Sequence, residues 1–368
     1  MYSEHDLVKI AKRENNTKRN YLVVNRFQGK HVPVEPSKAF FLFDELAEKV
    51  KIAYADEKLL LIGFAETATA IGAHLAINLG SYYIQTTREL IPEVEYLFFS
   101  EEHSHATEQK LVKNDISKIA PQIDRIVFVE DEVTTGNTIL NIIRILREQF
   151  PAVKKYSVAS LLNGMSKDSL ERYKEENIKL HYLIKTDHSK YSIIADKFKG
   201  NGTYINDLCE NINYGTKIEK INVGSYLNSR RLVNGIEYSH AVKQLWYKIN
   251  ESIKFSEYES ILVIGTEEFM YPALYVSKQL EDFGKQVKTH STTRSPIEVS
   301  LEDEYPLHTR YELRSFYDDE RITYIYDLDT YDCVIILTDS VKIDGYGMNT
   351  LLHELSKKNK KIYVVRWC

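Results

Sequence analysis

Arg125-Ile-Val-Phe-Val-Glu-Asp-Glu-Val-Thr-Thr-Gly-Asn-Thr138 is the stretch of this 368-residue chain on which the fold turns. Arg125 to Val129 is a short apolar run of the kind found in buried parallel strands. Three acids and a turn of small, hydroxylated residues follow. Ile139-Leu-Asn-Ile-Ile-Arg-Ile-Leu-Arg-Glu-Gln-Phe150 then places apolar residues at helical spacing, with Asn141, Arg144 and Arg147 on the other face. The turn, Thr134, Thr135, Gly136, Asn137 and Thr138, brings several N–H groups and three hydroxyls to a helix N-terminus, and its glycine lets the backbone approach a ligand. That combination suits a phosphate. Glu130 and Asp131 repel a phosphate, so they face a neutral hydroxylated group or a divalent cation. A ribose diol beside a 5′-phosphate satisfies both halves of the motif. Without a ligand the same residues would make a strand, an acidic turn and a Thr N-cap, poor packing chemistry for adjacent acids. Neither Gly-Lys-Ser/Thr nor G-x-G-x-x-G is present.

Outward from this stretch, apolar runs at Leu59–Ile62, Tyr82–Gln85, Val158–Leu162, Ile261–Ile264, Val287–Thr289, Cys333–Leu337 and Ile362–Val365 alternate with amphipathic segments. The alternation predicts an α/β fold with a mostly parallel, Rossmann-like sheet. The polar stretch Lys199–Asn234 has the weakest periodicity, and a boundary near 220 would divide the chain into 1–220 and 221–368. The net charge of −5, with no Lys/Arg cluster, argues against nucleic acid as a partner. Three widely spaced cysteines, Cys209, Cys333 and Cys368, indicate neither a disulfide framework nor a zinc cage and suit a reducing, cytoplasmic setting. The charged start and the short apolar runs predict a soluble protein without a membrane span.

Val129-Glu-Asp-Glu-Val-Thr-Thr-Gly-Asn-Thr138 resembles the phosphoribosyl pyrophosphate (PRPP) loop of type I phosphoribosyltransferases. The resemblance implies that fold, with a hood over the strand ends, and transfer of ribose 5-phosphate from PRPP to a nitrogenous base with Mg²⁺. Ala65, Glu66, Thr67 and Ala68, after Leu59-Leu-Leu-Ile-Gly63, fall where that family has its pyrophosphate loop. Arg88 ends a strand with a fork suited to a diphosphate. His103, Ser104, His105 and Lys110 lie where the family keeps a catalytic lid, and His105 and Lys110 would supply donors to the leaving group. The lysine-rich or Ser-Tyr lids of better-known members are not matched. Glu130 and Asp131 would hold the ribose diol and take part in holding Mg²⁺. The base pocket is expected from Arg26–Pro33, with Lys30 and His31, and from the stretch after Leu161. Homodimers are common in the family, and 26 tyrosines would allow one here.

The second half repeats the first. Gly63 with Glu66 matches Gly265 with Glu268, Thr86-Thr-Arg88 matches Thr292-Thr-Arg294, and Asp131 matches Asp339, at offsets of 202, 206 and 208 residues. These matches point to a divergent duplication of one phosphoribosyltransferase-like unit. No Thr-Thr-Gly turn follows Asp339, so the second copy is expected to bind PRPP poorly. Glu268, Thr293, Arg294 and Ser295 are its candidate site, and Tyr305, Arg310 and Arg314 with Tyr317–Arg321 would form its lid. Thr293-Arg-Ser-Pro296 together with the first-half motifs is similar to the orotate phosphoribosyltransferase-like proteins of tellurite-resistance-type stress gene clusters, which end in a TRSP domain. That likeness covers Asn20 to Thr338 and implies synthesis of a nucleotide or nucleoside-like metabolite, from an orotate-like or other base. A sensor of PRPP or nucleotide that has lost transfer, and an interaction scaffold, are the competing classes. Retention of both loops and a lid favours the enzyme.

Overall fold

A computed structural model describes residues 2–14, 16, 19–99, 109–208 and 215–368. The chain divides into two compact units. One comprises Phe41–Asp187 and Leu227–Ala241, and the other Met1–Phe40, His188–Tyr226 and Val242–Cys368. They are called the Asp131 unit and the Asp339 unit below. They are interleaved along the sequence, so a single cut near 220 does not separate them.

The Asp131 unit is built on six strands in the order Val233–Asn234, Tyr82–Gln85, Leu59–Gly63, Arg125–Val133, Lys155–Asn163, Lys179–Lys185. All neighbours are parallel except the edge strand Val233–Asn234. Every residue of Leu59–Gly63 is buried, as a central parallel strand requires. Ile139, Leu140, Ile142, Ile143 and Leu146 of the helix Asn137–Gln149 pack into the core beside Ile126, Phe128 and Val158. The Asp339 unit holds a five-stranded parallel sheet in the order Lys217–Val223, Lys361–Trp367, Cys333–Thr338, Ser260–Gly265, Gln286–Ser291.

Each apolar run read from the sequence is a strand. Arg125–Val133 continues past the expected Val129 because Glu130 pairs with Ser160 and Glu132 with Leu162, so the acids stay on the ladder. Lys217–Val223 lies inside the stretch taken for a polar boundary. It is an edge strand, and its alternating polar residues hide it from a search for apolar runs.

The two sheets share order and register. Gly63 stands beside Val129 and Gln85, and Gly265 beside Leu337 and Ser291. Asp131 and Asp339 therefore follow at the same step, as do Thr86–Arg88 and Thr292–Arg294. An antiparallel hairpin comes next in each half, Tyr96–Phe99 with Gln109–Val112 and Thr309–Arg314 with Ile322–Tyr326. The same bridge ties both hairpins down, Thr87 to Lys110 and Thr293 to Tyr324. Val233 pairs with Tyr83 and Val34 with Thr289, each just ahead of an 18-residue helix, Gly235–Ser252 and Pro36–Ala53. Two of the four unit boundaries, at 40/41 and 241/242, fall inside these helices. Among the described residues no helix is long and apolar enough to cross a membrane.

The Leu227–Ala241 segment is fixed to its unit by a buried carboxylate. Asp115 accepts from Arg231 Nε at 2.5 Å, Arg231 Nη2 at 2.9 Å and the Leu232 amide at 3.1 Å. Burial by itself would raise the Asp115 pKa, but Arg231, the Leu232 amide and Lys118 outweigh it and hold the carboxyl at about 2. This contribution to stability is present above the ordinary carboxylate pKa and is lost as pH falls towards 2. Arg231→Ala should cost roughly 2 kcal/mol in urea unfolding at pH 7. The gap from the wild type should close between pH 4 and 2; a gap that does not move with pH would show that the ion pair is not its source.

Candidate active site

Gly136 caps the helix Asn137–Gln149 with φ of 72°, a left-handed conformation that favours glycine. A Cβ there would meet Tyr173 Oη at 2.4 Å, and that hydroxyl donates to the Gly136 carbonyl at 2.6 Å. Arg172 Nη2 donates to the Thr135 carbonyl at 3.2 Å. The turn thus turns its carbonyls towards Tyr173 and Arg172. Thr134, Thr135, Asn137 and Thr138 keep partial exposure at a helix N-terminus, where N–H groups and the helix dipole attract an anion.

Ala65–Ala68 leaves the end of the Leu59–Gly63 strand. The Ala65 N–H donates to Thr86 Oγ1 at 2.8 Å, Thr86 donates to Gln109 Oε1 at 2.7 Å, and Gln109 Nε2 donates to the Ala65 carbonyl at 2.6 Å. All three residues are buried. Gly63 and Gly72 let the strand and the helix Thr69–Leu79 approach under Tyr83, whose hydroxyl would meet a Cβ at 63 at 2.7 Å and whose ring one at 72 at 2.8 Å. Two residues beyond Ala65 in the loop, Thr67 donates to Asp131 Oδ1 at 2.7 Å. That bond joins the loop of one strand to the acid of its neighbour. The Asp131 carboxyl is only part-exposed, and desolvation raises its pKa to about 6, with Glu132 adding to the rise and the Thr67 bond opposing it.

The arrangement offers an anion cradle, two acids and a second loop within reach of one another at the carboxyl ends of parallel strands, where α/β sheets bind ligands. Residues 7–189 match the family described as "Phosphoribosyl transferase", and residues 234–355 match the TRSP domain that lies C-terminal to it. The chain belongs to the phosphoribosyltransferases that carry a TRSP domain. It has the type I phosphoribosyltransferase fold, followed by a second α/β domain. Among solved structures it resembles the adenine phosphoribosyltransferase of Rhodothermus marinus at 16% identity and TM-score 0.37, covering 50% of this chain and 96% of that one. The Giardia lamblia adenine enzyme, complexed with 9-deazaadenine, gives 16% and 0.36, covering 51% and 100%. The orotate phosphoribosyltransferase of Aeropyrum pernix gives 19% and 0.33, covering 51% and 91%. No curated protein sequence matches the chain significantly.

In the transferase, Arg88 lies at the end of the Tyr82–Gln85 strand, part-exposed. Lys110 Nζ donates to the Arg88 carbonyl at 3.2 Å and lies 5.7 Å from the Tyr96 ring. Its ammonium therefore holds the Arg88 backbone, whereas the sequence had suggested a donor to the leaving group. His103, Ser104 and His105 fall outside the described residues. Lys30 and His31 require a correction. Both are buried in the Asp339 unit, where Lys30 Nζ donates to the carbonyls of Glu267 and Thr292 at 2.9 Å each. The Lys30 ammonium is engaged in supporting the second loop, a role the sequence reading had not given it. The sequence reading missed Gln109, Thr86, Tyr173 and Arg172. The repeated Thr-Thr-Arg was the one signal for Thr86, and nothing local marks the others.

In the Asp339 unit, Arg294 meets Glu267 Oε2 at 2.8 Å and Glu268 Oε1 at 3.1 Å. Thr293 Oγ1 accepts the Ser295 N–H at 3.2 Å, and Tyr326 Oη donates to the Ser295 carbonyl at 2.6 Å. Tyr305 and Arg310 do not belong to a lid. Tyr305 is in the core, and Arg310 lies on a strand and pairs with Glu14 at 2.6 Å. Residues between the hairpin strands Thr309–Arg314 and Ile322–Tyr326 hold the lid position. The one three-ligand metal cluster among the described residues, Asp207, His353 and Glu354, lies in this unit, and the Lys357 ammonium bridges its carboxylates at 2.8 and 3.4 Å.

Gly136→Ala should lower stability by about 1–3 kcal/mol from the left-handed backbone alone, with the Tyr173 contact adding to it. Thermal melting and PRPP titration should both register the change; a variant that melts and binds like the wild type would refute the cradle geometry. Since Asp131 is protonated up to about pH 6 in the folded chain and only to about 4 when unfolded, its contribution makes stability fall as pH rises from 4 through 6. Asp131→Asn should remove that slope from melting temperatures taken across the interval.

Proposed function

We propose that the Asp131 unit transfers the 5-phosphoribosyl group of PRPP to a nitrogenous base, orotate-like or other, releasing diphosphate in the synthesis of a nucleotide or nucleoside-like metabolite. The observation that carries this reading is the Thr67–Asp131 hydrogen bond, which brings the loop expected to hold diphosphate against the acid expected to hold ribose. In the reaction a base nitrogen forms a bond to the anomeric carbon as the bond to the diphosphate oxygen breaks and its electron pair leaves with diphosphate. Positive charge grows on the ribose ring and negative charge on the leaving group. Catalysis is then mainly orientation and fixed electrostatics.

Thr134 to Thr138 hold the 5′-phosphate through backbone amides and hydroxyls. Glu130 and Asp131 take the ribose diol and face the developing cation. Arg88 and the amides of residues 65–68 take the diphosphate. His103, Ser104 and His105, outside the described residues, are the expected donors to it, and Lys110 keeps Arg88 in place. Glu130 and Asp131 are the carboxylates that the motif offers a cation. That fits Mg²⁺ held through one or two carboxylates and substrate oxygens, and when bound it neutralises diphosphate charge. For the base, the stretch after Leu161 has a donor to offer. Asn163 is 1% exposed at the end of the neighbouring strand, and its Nδ2 has no hydrogen-bond partner among the described residues. A buried amide left in this state suits a carbonyl or ring-nitrogen acceptor on the base.

The Asp339 unit is read as a divergent copy, on the strength of the shared strand order and register. The three widely spaced cysteines support a reducing, cytoplasmic setting for this reaction.

Calorimetric titration with PRPP and Mg²⁺ should give binding that Asp131→Asn combined with Thr135→Ala weakens at least tenfold, about 1.4 kcal/mol. Affinity in the wild type should rise with pH through about 6 as Asp131 ionises. Absence of binding to the wild type would sink the transferase assignment of this site, and tight binding with no diphosphate release across a panel of bases would favour a sensor. Asn163→Ala should raise KM for the accepted base about tenfold while leaving PRPP affinity within twofold. A parallel loss of both would show that Asn163 supports the fold and does not read the base.

A further inference from the structure

The register that equates the two sheets also equates their loops. The Ala65 N–H donates to Thr86 Oγ1 at 2.8 Å, and the Glu267 N–H donates to Thr292 Oγ1 at 3.0 Å. Glu267 is therefore the counterpart of Ala65, with a carboxylate where the first copy has a methyl group. Its side chain is wholly buried and satisfied on both oxygens. Oε2 takes Arg294 Nε at 2.8 Å and Arg321 Nη1 at 3.1 Å, and Oε1 takes Ser315 Oγ at 2.5 Å. Arg294 is the counterpart of Arg88. Arg321 and Ser315 come from the segment at the tip of the hairpin, where a lid would be.

Asp339, the counterpart of Asp131, is closed in the same way. Tyr317 Oη donates to its Oδ1 at 2.6 Å, and Tyr226 Oη donates to Oδ2. Where the first copy has its phosphate turn, the Ser340 hydroxyl is turned onto the Phe316 carbonyl and Lys342 pairs with Asp319 at 2.8 Å.

We propose that the second copy is a self-liganded site, a cryptic anion subsite whose ligand is the protein's own Glu267. The carboxylate stands against the arginines where a diphosphate would, and the two tyrosine hydroxyls stand on Asp339 where a ribose diol would. Naming what each group replaces rests on the PRPP reading of the first copy; the buried occupancy itself does not. A tethered carboxylate competes at high effective concentration with any anion in solution, so the intact chain holds one diphosphate site. With Glu267 neutralised or removed, Arg294 and Arg321 lose the carboxylate they share, while Glu268 stays at 3.1 Å from Arg294 and Asp318 at 3.6 Å from Arg321. A buried guanidinium left short of anions recruits one from solvent. The ligand class is a small polyvalent oxyanion, inorganic diphosphate being the simplest.

The test is calorimetric stoichiometry with inorganic diphosphate and Mg²⁺ on the full chain, for the wild type, Glu267→Gln and Glu267→Ala. Each variant should bind one more diphosphate per chain than the wild type. Glu267→Ala should melt lower than the wild type and regain at least half of the lost temperature in millimolar diphosphate, while the wild type moves less. Because the result is read as variant minus wild type, a first site that binds nothing would refute the transferase reading without changing the expected difference of one. A wild-type chain that binds two diphosphates with comparable affinity overturns the proposal. So does a folded Glu267→Gln or Glu267→Ala chain with no added site and no recovery on melting.

Discussion

Thr86 Oγ1 accepts the Ala65 N–H at 2.8 Å and donates to Gln109 Oε1 at 2.7 Å, and Gln109 Nε2 returns to the Ala65 carbonyl at 2.6 Å. The ring is needed because the chain leaves the ladder of a buried strand at Gly63 and carries a peptide into a dry interior. There an unmatched N–H or C=O costs about 1–3 kcal/mol. Side chains from the next strand and from the hairpin supply the missing partners. The loop is thereby held off the sheet at a fixed height, and only then does Thr67 reach Asp131. In the Asp339 unit Thr292 plays the part of Thr86, and Lys30 plays that of Gln109 by donating to the Glu267 carbonyl at 2.9 Å. One backbone problem has been solved twice, with an amide in one copy and an ammonium in the other.

The chemistry of the two copies diverges at few positions. A methyl group at Ala65 leaves room beside the loop amides, whereas the carboxylate of Glu267 fills its place and neutralises the arginines that face it. Asp131 keeps one hydroxyl partner, Thr67, and a raised pKa, the condition of an acid awaiting a further partner. Asp339 accepts two tyrosine hydroxyls. The first acid therefore has fewer hydroxyl partners from the protein than the second, and this difference supports the proposed reading of the first copy as the binding site. The glycine at 136 acts in the same direction, because its left-handed φ lets the turn end in a helix with its N–H groups outward.

The central strands were legible because burial on both faces demands unbroken apolar runs, as at Leu59–Gly63 and Cys333–Leu337. The acid-and-threonine turn was legible because few ligand-free environments tolerate Glu130 beside Asp131. Contacts set by long-range topology were not. Lys30 beside Gly29 looks like a solvated turn or a pocket residue, and nothing near it in sequence says that its ammonium is buried against carbonyls some 240 residues later. Glu267 was passed over because the Glu66 match drew attention to its neighbour Glu268; the same offset of 202 sets Glu267 on Ala65, and the Thr292 contact to the Glu267 N–H agrees. The edge strand Lys217–Val223 was missed because an edge needs apolar residues on one face only.

Interleaving makes each unit depend on sequence from both halves of the chain. The strand Tyr82–Gln85 would present an unpaired ladder edge if Val233–Asn234 did not cover it, and Asp115 would be a buried carboxylate without its guanidinium if Arg231 were absent. Both partners come from sequence beyond residue 220, yet they belong to the Asp131 unit. Likewise Val34 covers the strand Gln286–Ser291, and the hairpin strands Val8–Lys12 and Tyr21–Asn25 lend Ala11, Leu22 and Val24 to a core otherwise made from Ile297, Val299, Tyr305 and Leu307. Neither compact unit is encoded by a continuous half of the chain. A change in the segment that leads into the second copy therefore acts on the Asp131 unit too, whether or not that copy binds a ligand.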